Sequence, residues 1–464
     1  MQVRAHQPKL VVTSSNTFWD SKEAVEGQLV QDDFLELKDS KADQVEIGAA
    51  IYNEPLAAKL LRKAPGAIGT GVGAGLVAGA VAFTVGMSLP GALFLGGALA
   101  LSRVVGMGLE ALTERWKFKE IPEGLALPHT SQQGFTLKSD GSSPSDALQA
   151  LGAHHLKEYP SSFHVLHMNG HGHGAKAVAG LSGDAARKAA LEAVVAGGRK
   201  FDVAFYETCY GSNFEFLYGQ AGAADFAVAF EDQAPKSNSY TKRVPVDEIL
   251  AVPLELMSPR EAAQGMAARA GEHFEREEPP AISKVPLADR LMPEHRDKFF
   301  LNTDSTVVAV DLQELQADLA PQLDKVGRLL VSAYRESPEV KNLVHQARRK
   351  NKVDEVGDLV DMGGFLTDIR KGLGEREPEL AAAIGSAERE LGETIIGKRT
   401  GKDFPLSGLT FHTRPNAITF RRPASSAYEN EGLPKNWVGF VEEAFLGLPV
   451  ALSDAMTNLR SRSI

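Results

Sequence analysis

Residues 163–174 read FHVLHMNGHGHG and residues 201–213 read FDVAFYETCYGSN. Each opens as an apolar run of strand length. Between them, residues 184–198, DAARKAALEAVVAGG, carry apolar positions at helical spacing. Strand, helix and strand in close succession make a βαβ unit, in which the two strands run parallel and a crossover helix covers one face. The consequence is geometric: both strands end at the same edge of the sheet, the edge where open α/β sheets bind their ligands. His171 follows the first strand, and Cys209 follows the second 38 residues later. Imidazole and thiol therefore leave neighbouring strand ends.

The same alternation extends outward. Residues 143–159, SPSDALQALGAHHLKEY, and 215–223, EFLYGQAGA, read as helices, and 225–232, DFAVAFED, as a strand. Residues 306–323, TVVAVDLQELQADLAPQL, read as a strand turning into a helix, and helical patterning continues to about residue 370. No repeat of fixed period occurs, which excludes a solenoid. The expected class is α/β, with a mostly parallel sheet flanked by helices.

Composition narrows the chemistry. Fifty basic and 60 acidic side chains give a net charge of -10 with no long basic stripe, which argues against a nucleic-acid partner. One cysteine in 464 residues excludes an intrachain disulfide framework and a multi-cysteine zinc site. The first 30 residues lack the basic, apolar and small-residue order of a secretory signal, so export would need another route. The composition suits a bacterial protein.

The chain divides on composition. Residues 1–63 are mixed and polar, with an amphipathic run EPLAAKLLRKA at 54–64 and no assignable chemistry. No charged residue occurs from Ala64 to Ser102, and residues 64–112 suit a Gly/Ala-rich apolar helical hairpin broken at Pro90-Gly91. Gly71, Gly75 and Gly79 have the spacing at which helices touch in lipid, and Arg62, Lys63 and Arg103 flank the segment. Insertion into a membrane is one reading, and a buried helical pair is the other. Residues 113–134 read as a linker leading to a short strand FTLKS at 135–139. A catalytic domain over 135–320, a completing part over 321–446 and a tail over 447–464 follow.

A thiol attacks carbonyls only as thiolate, and a nearby imidazole both lowers its pKa and later protonates a leaving amine. Cys209 and His171 meet that requirement. The backbone N–H groups of Gly172 and Cys209 are the candidate oxyanion donors, and glycine leaves room for a substrate carbonyl. His173 reads as a rim residue supporting substrate, although its exchange with His171 stays open. A lone buried cysteine acting as core filler is the plain alternative.

These residues resemble the clostripain family of cysteine peptidases, whose catalytic strands end in His-Gly-Xaa-Gly and in Asp-Ala-Cys, with glutamate six residues after the cysteine. Here those places read His171-Gly172-His173-Gly174 and Glu207-Thr208-Cys209 with Glu215. The likeness continues in ADFAVAFEDQAP, VVAVDLQEL, DLVDMGGFL and LPKNWVGFVEEAF, over about residues 135–446. It implies a caspase-type fold, peptide-bond hydrolysis by a Cys/His dyad through a thioester, and a protein or peptide substrate. In the family an acid at the base of the first substrate pocket selects Arg or Lys. Glu207 is the matching candidate, with Glu231 or Asp232 as helpers. The sequence departs from the pattern at Glu207, Thr208 and bulky Tyr210.

The resemblance implies no required organic cofactor. Some relatives bind calcium, but no EF-hand type loop occurs here, and calcium stays open. The histidines at 164, 167, 171 and 173 invite a zinc reading, yet 164 and 167 point to opposite faces of a strand and no HExxH pattern occurs. No metal site is expected. Two other classes of function stand beside the peptidase: an inactive peptidase-like binding module, and a membrane-perturbing effector using residues 64–112.

Overall fold

The computed structural model of the chain describes residues 8–18, 37, 44–53, 124–126, 143–232, 246–256, 258–276, 305–353, 359–400, 406–413 and 432–446. The apolar segment 64–112, the run at 54–64, FTLKS and the tail lie outside them.

Strands β1 (Leu10–Phe18), β2 (Val45–Asn53), β3 (Gly124–Ala126), β4 (Phe163–Gly170), β5 (Phe201–Glu207), β6 (Ala224–Phe230), β7 (Thr306–Asp311) and β9 (Ile395–Thr400) form one eight-stranded sheet in the order 3-2-1-4-5-6-7-9. A short antiparallel pair joins β8 (Leu359–Asp361) to β10 (Thr410–His412). Within the large sheet β2, β1, β4, β5 and β6 are mutually parallel, β3 and β7 run antiparallel to them, and β9, paired antiparallel with β7, runs again in their direction. The mostly parallel α/β sheet expected from the alternation is present. One difference is instructive: β1 and β2, from the region given no role, sit in the same sheet as β4 and β5. The sheet therefore begins at Leu10, far upstream of residue 135.

Helix α1 (Pro144–Glu158) starts where the pattern requires. Ser143 and Asp146 form a reciprocal capping box and Pro144 occupies the first turn. Helix α2 (Gly183–Gly197) is capped by Ser182 and stopped by Gly198, whose φ of 80° only glycine adopts readily. The two helices pack closely because a Cβ at Gly152 would lie 2.9 Å from the Ala193 Cβ. Helices α3 (Phe214–Gln220), α4 (Val246–Ala251), α5 (Pro259–Arg276), α6 (Ala320–Glu336), α7 (Pro338–Lys350), α8 (Met362–Leu373), α9 (Pro378–Thr394) and α10 (Lys435–Val441) complete the layers.

Side chains alternate across the pleat, so each strand feeds two cores. Leu166, Met168, Ala204, Tyr206, Ala227 and Ala229 join a core with α1, α2, α3 and α6 to α10. Val165, Val203, Phe205, Val228 and Phe230 join the other, with α4 and α5. Burial on both faces is what makes these strands read as nearly continuous apolar runs.

Candidate active site

On the α4/α5 face three adjacent strands change character toward their C-terminal ends. The row Leu10, Val12 gives way to Ser14, Asn16; Val165 to His167, Asn169; and Val203, Phe205 to Glu207. These polar groups are buried, and a buried polar group must be hydrogen-bonded to be tolerated. Asn16 Nδ2 donates to Ser14 Oγ at 2.9 Å, and Ser14 Oγ lies 2.9 Å from His167 Nδ1. His167 Nε2 lies 3.0 Å from Glu207 Oε2, which also accepts from Asn169 Nδ2 at 3.0 Å. One proton assignment satisfies every link: Ser14 O–H donates to Nδ1, and Nε2–H donates to Glu207.

Burying a carboxylate costs several kcal/mol, and hydrogen bonds involving a charged group return about 1.5–3 kcal/mol each. The chain therefore comes out close to neutral for stability. What it does is hold Glu207 still, two residues before Cys209.

The two loops beyond β4 and β5 meet. A Cβ at Gly172 would collide with Thr208 Oγ1 and with the Cys209 carbonyl oxygen, so only glycine lets the His171 turn lie against the cysteine. Cys209 is buried, 8% exposed, as part of the α4/α5 core. Tyr210 adopts a left-handed φ of 57°, a conformation that costs a bulky residue about 1–3 kcal/mol. Its N–H donates to the Asp232 carbonyl at 2.7 Å, and its ring meets that of His173 edge-on at 5.8 Å.

The other candidate acids go to different places. Asp232 lies beside the Cys209 turn, where its Oδ1 accepts from Thr306 N at 3.0 Å. Glu231 turns toward Asp361 on the opposite face, so it does not converge with Glu207. Burial first, with the nearby charges of Asp361 and Asp232, raises its pKa well above the usual carboxylate value. His164 and His167 lie on opposite faces as their spacing required. His164 Nε2 meets the Tyr159 carbonyl at 2.8 Å, and burial lowers its pKa to about 4. Among the described residues no group of three or more His, Cys, Asp or Glu could hold a metal ion.

Residues from distant segments complete the site. Asn213 caps α3 through Phe216 N at 3.2 Å, and the same Oδ1 accepts from Ala175 N at 3.1 Å, tying the histidine turn to the segment after the cysteine. Thr410 N donates to the Ser212 carbonyl at 2.9 Å, and His412 N donates to Glu215 Oε1 at 3.1 Å. Ser14, Asn16 and His412 have no local signal in the sequence. For Asn213, a cap-type residue just before a helical run, the signal is present.

No protein-family model matches the chain, and no curated protein matches it. Among solved structures it is similar to a secreted C11 cysteine protease from Bacteroides thetaiotaomicron bound to an irreversible peptide inhibitor. The identity is 10% and the TM-score 0.50, over 94% of this chain and 99% of that one. The fold is that of the C11, clostripain-like cysteine proteases. Two further C11 likenesses are an inactive zymogen from Parabacteroides distasonis (14% identity, TM-score 0.41, 70% of this chain and 81% of that one) and a Bacteroides thetaiotaomicron clostripain with a peptide inhibitor (13%, 0.36, 55% and 93%). At such identities the C11 likeness concerns the fold, and the chemistry rests on the residues.

No helix among the described residues is long and apolar enough to cross a membrane.

Proposed function

We propose that this chain is a cysteine endopeptidase in which His171 deprotonates Cys209, the thiolate attacks the scissile carbonyl, and His171 then protonates the leaving nitrogen. Water releases the acyl group from the resulting thioester. The N–H groups of Gly172 and Cys209 receive the oxyanion, a contribution of about 2.7–4 kcal/mol per donor in other enzymes. The observation that carries this reading is the close approach of Gly172 to the Thr208 side chain and the Cys209 carbonyl, two loops meeting edge to edge beyond the C-terminal ends of paired strands.

Cleavage after Arg or Lys is the preferred specificity, with Glu207 as the selecting acid, Asp232 nearby and His173 at the rim. The supporting feature is a carboxylate held in one orientation by His167 and Asn169. Membrane attachment through residues 64–112 rests on composition alone, and flotation of wild type against a 64–112 deletion with liposomes tests it.

The deciding experiment is labelling with a thiol-reactive peptide ending in Arg. Wild type is expected to label, and Cys209→Ala and His171→Ala to lose labelling. Labelling unchanged in His171→Ala would overturn the dyad.

A further inference from the structure

We infer that His412, nearly 240 residues beyond the histidine turn and on the separate two-stranded sheet, is a positioning residue that holds the His171–Gly174 turn against Cys209. The inference rests on the proposed dyad.

Three observations meet at this side chain. His412 is fully buried, and its imidazole ring lies 5.8 Å from that of His173. Gly174, which ends the turn with a left-handed φ of 57°, sits directly over it: a Cβ there would stand 2.7 Å from His412 Nε2 and 3.1 Å from Asn213 Cγ. Its own backbone is anchored from two sides. His412 N donates to Glu215 Oε1 on α3, and Thr410, two residues earlier, is bonded to Ser212. The imidazole is thus fixed to the segment after the cysteine and pressed against the underside of the histidine turn.

The charge state suits that task. Burial first, with the positive charges of Lys176 and His173, holds the His412 pKa well below the ordinary imidazole value. A neutral ring beneath the turn adds no positive charge beside an imidazolium at His171, so it supports the turn without opposing the thiolate–imidazolium pair. Glu215 is the acid facing it from α3.

Cys209 is the only cysteine, so alkylation by iodoacetamide, followed by mass spectrometry across pH, reads this site alone and needs no substrate. Wild type is expected to alkylate with a midpoint below that of a free thiol, about 8.5. His412→Ala is expected to move the midpoint up by about one pH unit, a roughly tenfold slower reaction at pH 6.5, and His412→Asn to recover part of the shift. Gly174→Ala approaches the same contact from the turn, leaves the buried strand untouched, and is expected to shift the midpoint the same way. It carries the test if His412→Ala does not fold. A lowered wild-type midpoint that neither variant moves would overturn the positioning role alone. A wild-type midpoint at the free-thiol value would overturn the dyad and this role together.

Discussion

His167 Nε2 stands 3.0 Å from Glu207 Oε2, with both side chains buried between β4 and β5. Removing one partner of such a pair costs far more than the pair contributes, because the other is left in a low-dielectric site with its charge uncompensated. His167→Ala is therefore expected to lose about 3–5 kcal/mol in denaturant unfolding. His167→Gln, which still offers a donor, should lose clearly less. Equal losses for the two would mean that packing, not the bond to Glu207, sets the cost.

The same carboxylate bears on specificity. Glu207→Gln keeps the bonds to His167 and Asn169 within reach but removes the charge. The expected outcome is a drop of at least about tenfold in kcat/KM for Arg and Lys peptides, with little change in an uncharged series, since 1.4 kcal/mol of lost ion pairing is tenfold. A panel in which Asp peptides are the best substrates of wild type would reject the basic pocket.

Gly172→Ala tests the edge-to-edge contact of the loops. Its methyl group has no space beside Thr208 Oγ1 and the Cys209 carbonyl, so the turn must move. Displacement of this order costs about 100-fold in rate. The expected result is that loss in kcat with an unchanged far-UV spectrum, and a variant of full activity would show that the turn has room.

Glu231 gives a pH signature. Its folded pKa is raised, so between the unfolded value near 4.5 and the higher folded value the native state keeps a proton that the unfolded state has lost. Stability then falls as pH rises through that window, by up to about 1.4 kcal/mol per pH unit. Glu231→Gln removes the titrating group at the same size and with it this slope. Melting curves from pH 5 to 8 should show the variant gaining on wild type as pH increases, and parallel curves would refute the protonated state.

His164 works in the opposite direction. Its folded pKa is about 4 against 6.5 unfolded, so stability is complete above pH 6.5 and declines as pH falls toward 4. The decline attributable to this group is about 3 kcal/mol. His164→Gln should flatten the acid limb of the stability curve, and an unchanged limb would assign the loss to other groups.

Much of the sheet edge that carries the candidate site was legible because its signals are local. The runs 163–170 and 201–207 have strand length and composition, and 184–198 has helical period. Strands joined by a crossover helix run parallel, so the ends of both strands had to share an edge. The period of two also locates the polar row: Val203, Phe205 and Glu207 alternate on one face, and so do Val165, His167 and Asn169. The partners of that row were not legible. Ser14 meets His167 across 153 residues of sequence, and no pattern within a strand states which distant strand it will pair with.

By itself the sequence determined the α/β class, the order of the central elements, and that the segments leading to His171 and Cys209 leave neighbouring parallel strands at one edge of the sheet. Each follows from residue periodicity and one crossover connection. Only the tertiary structure decided that β1 lies beside β4, that Glu231 faces away from Glu207, and that His412 sits beneath Gly174. Those relations depend on which distant surfaces bury one another, and that is settled by the packing of the whole sheet.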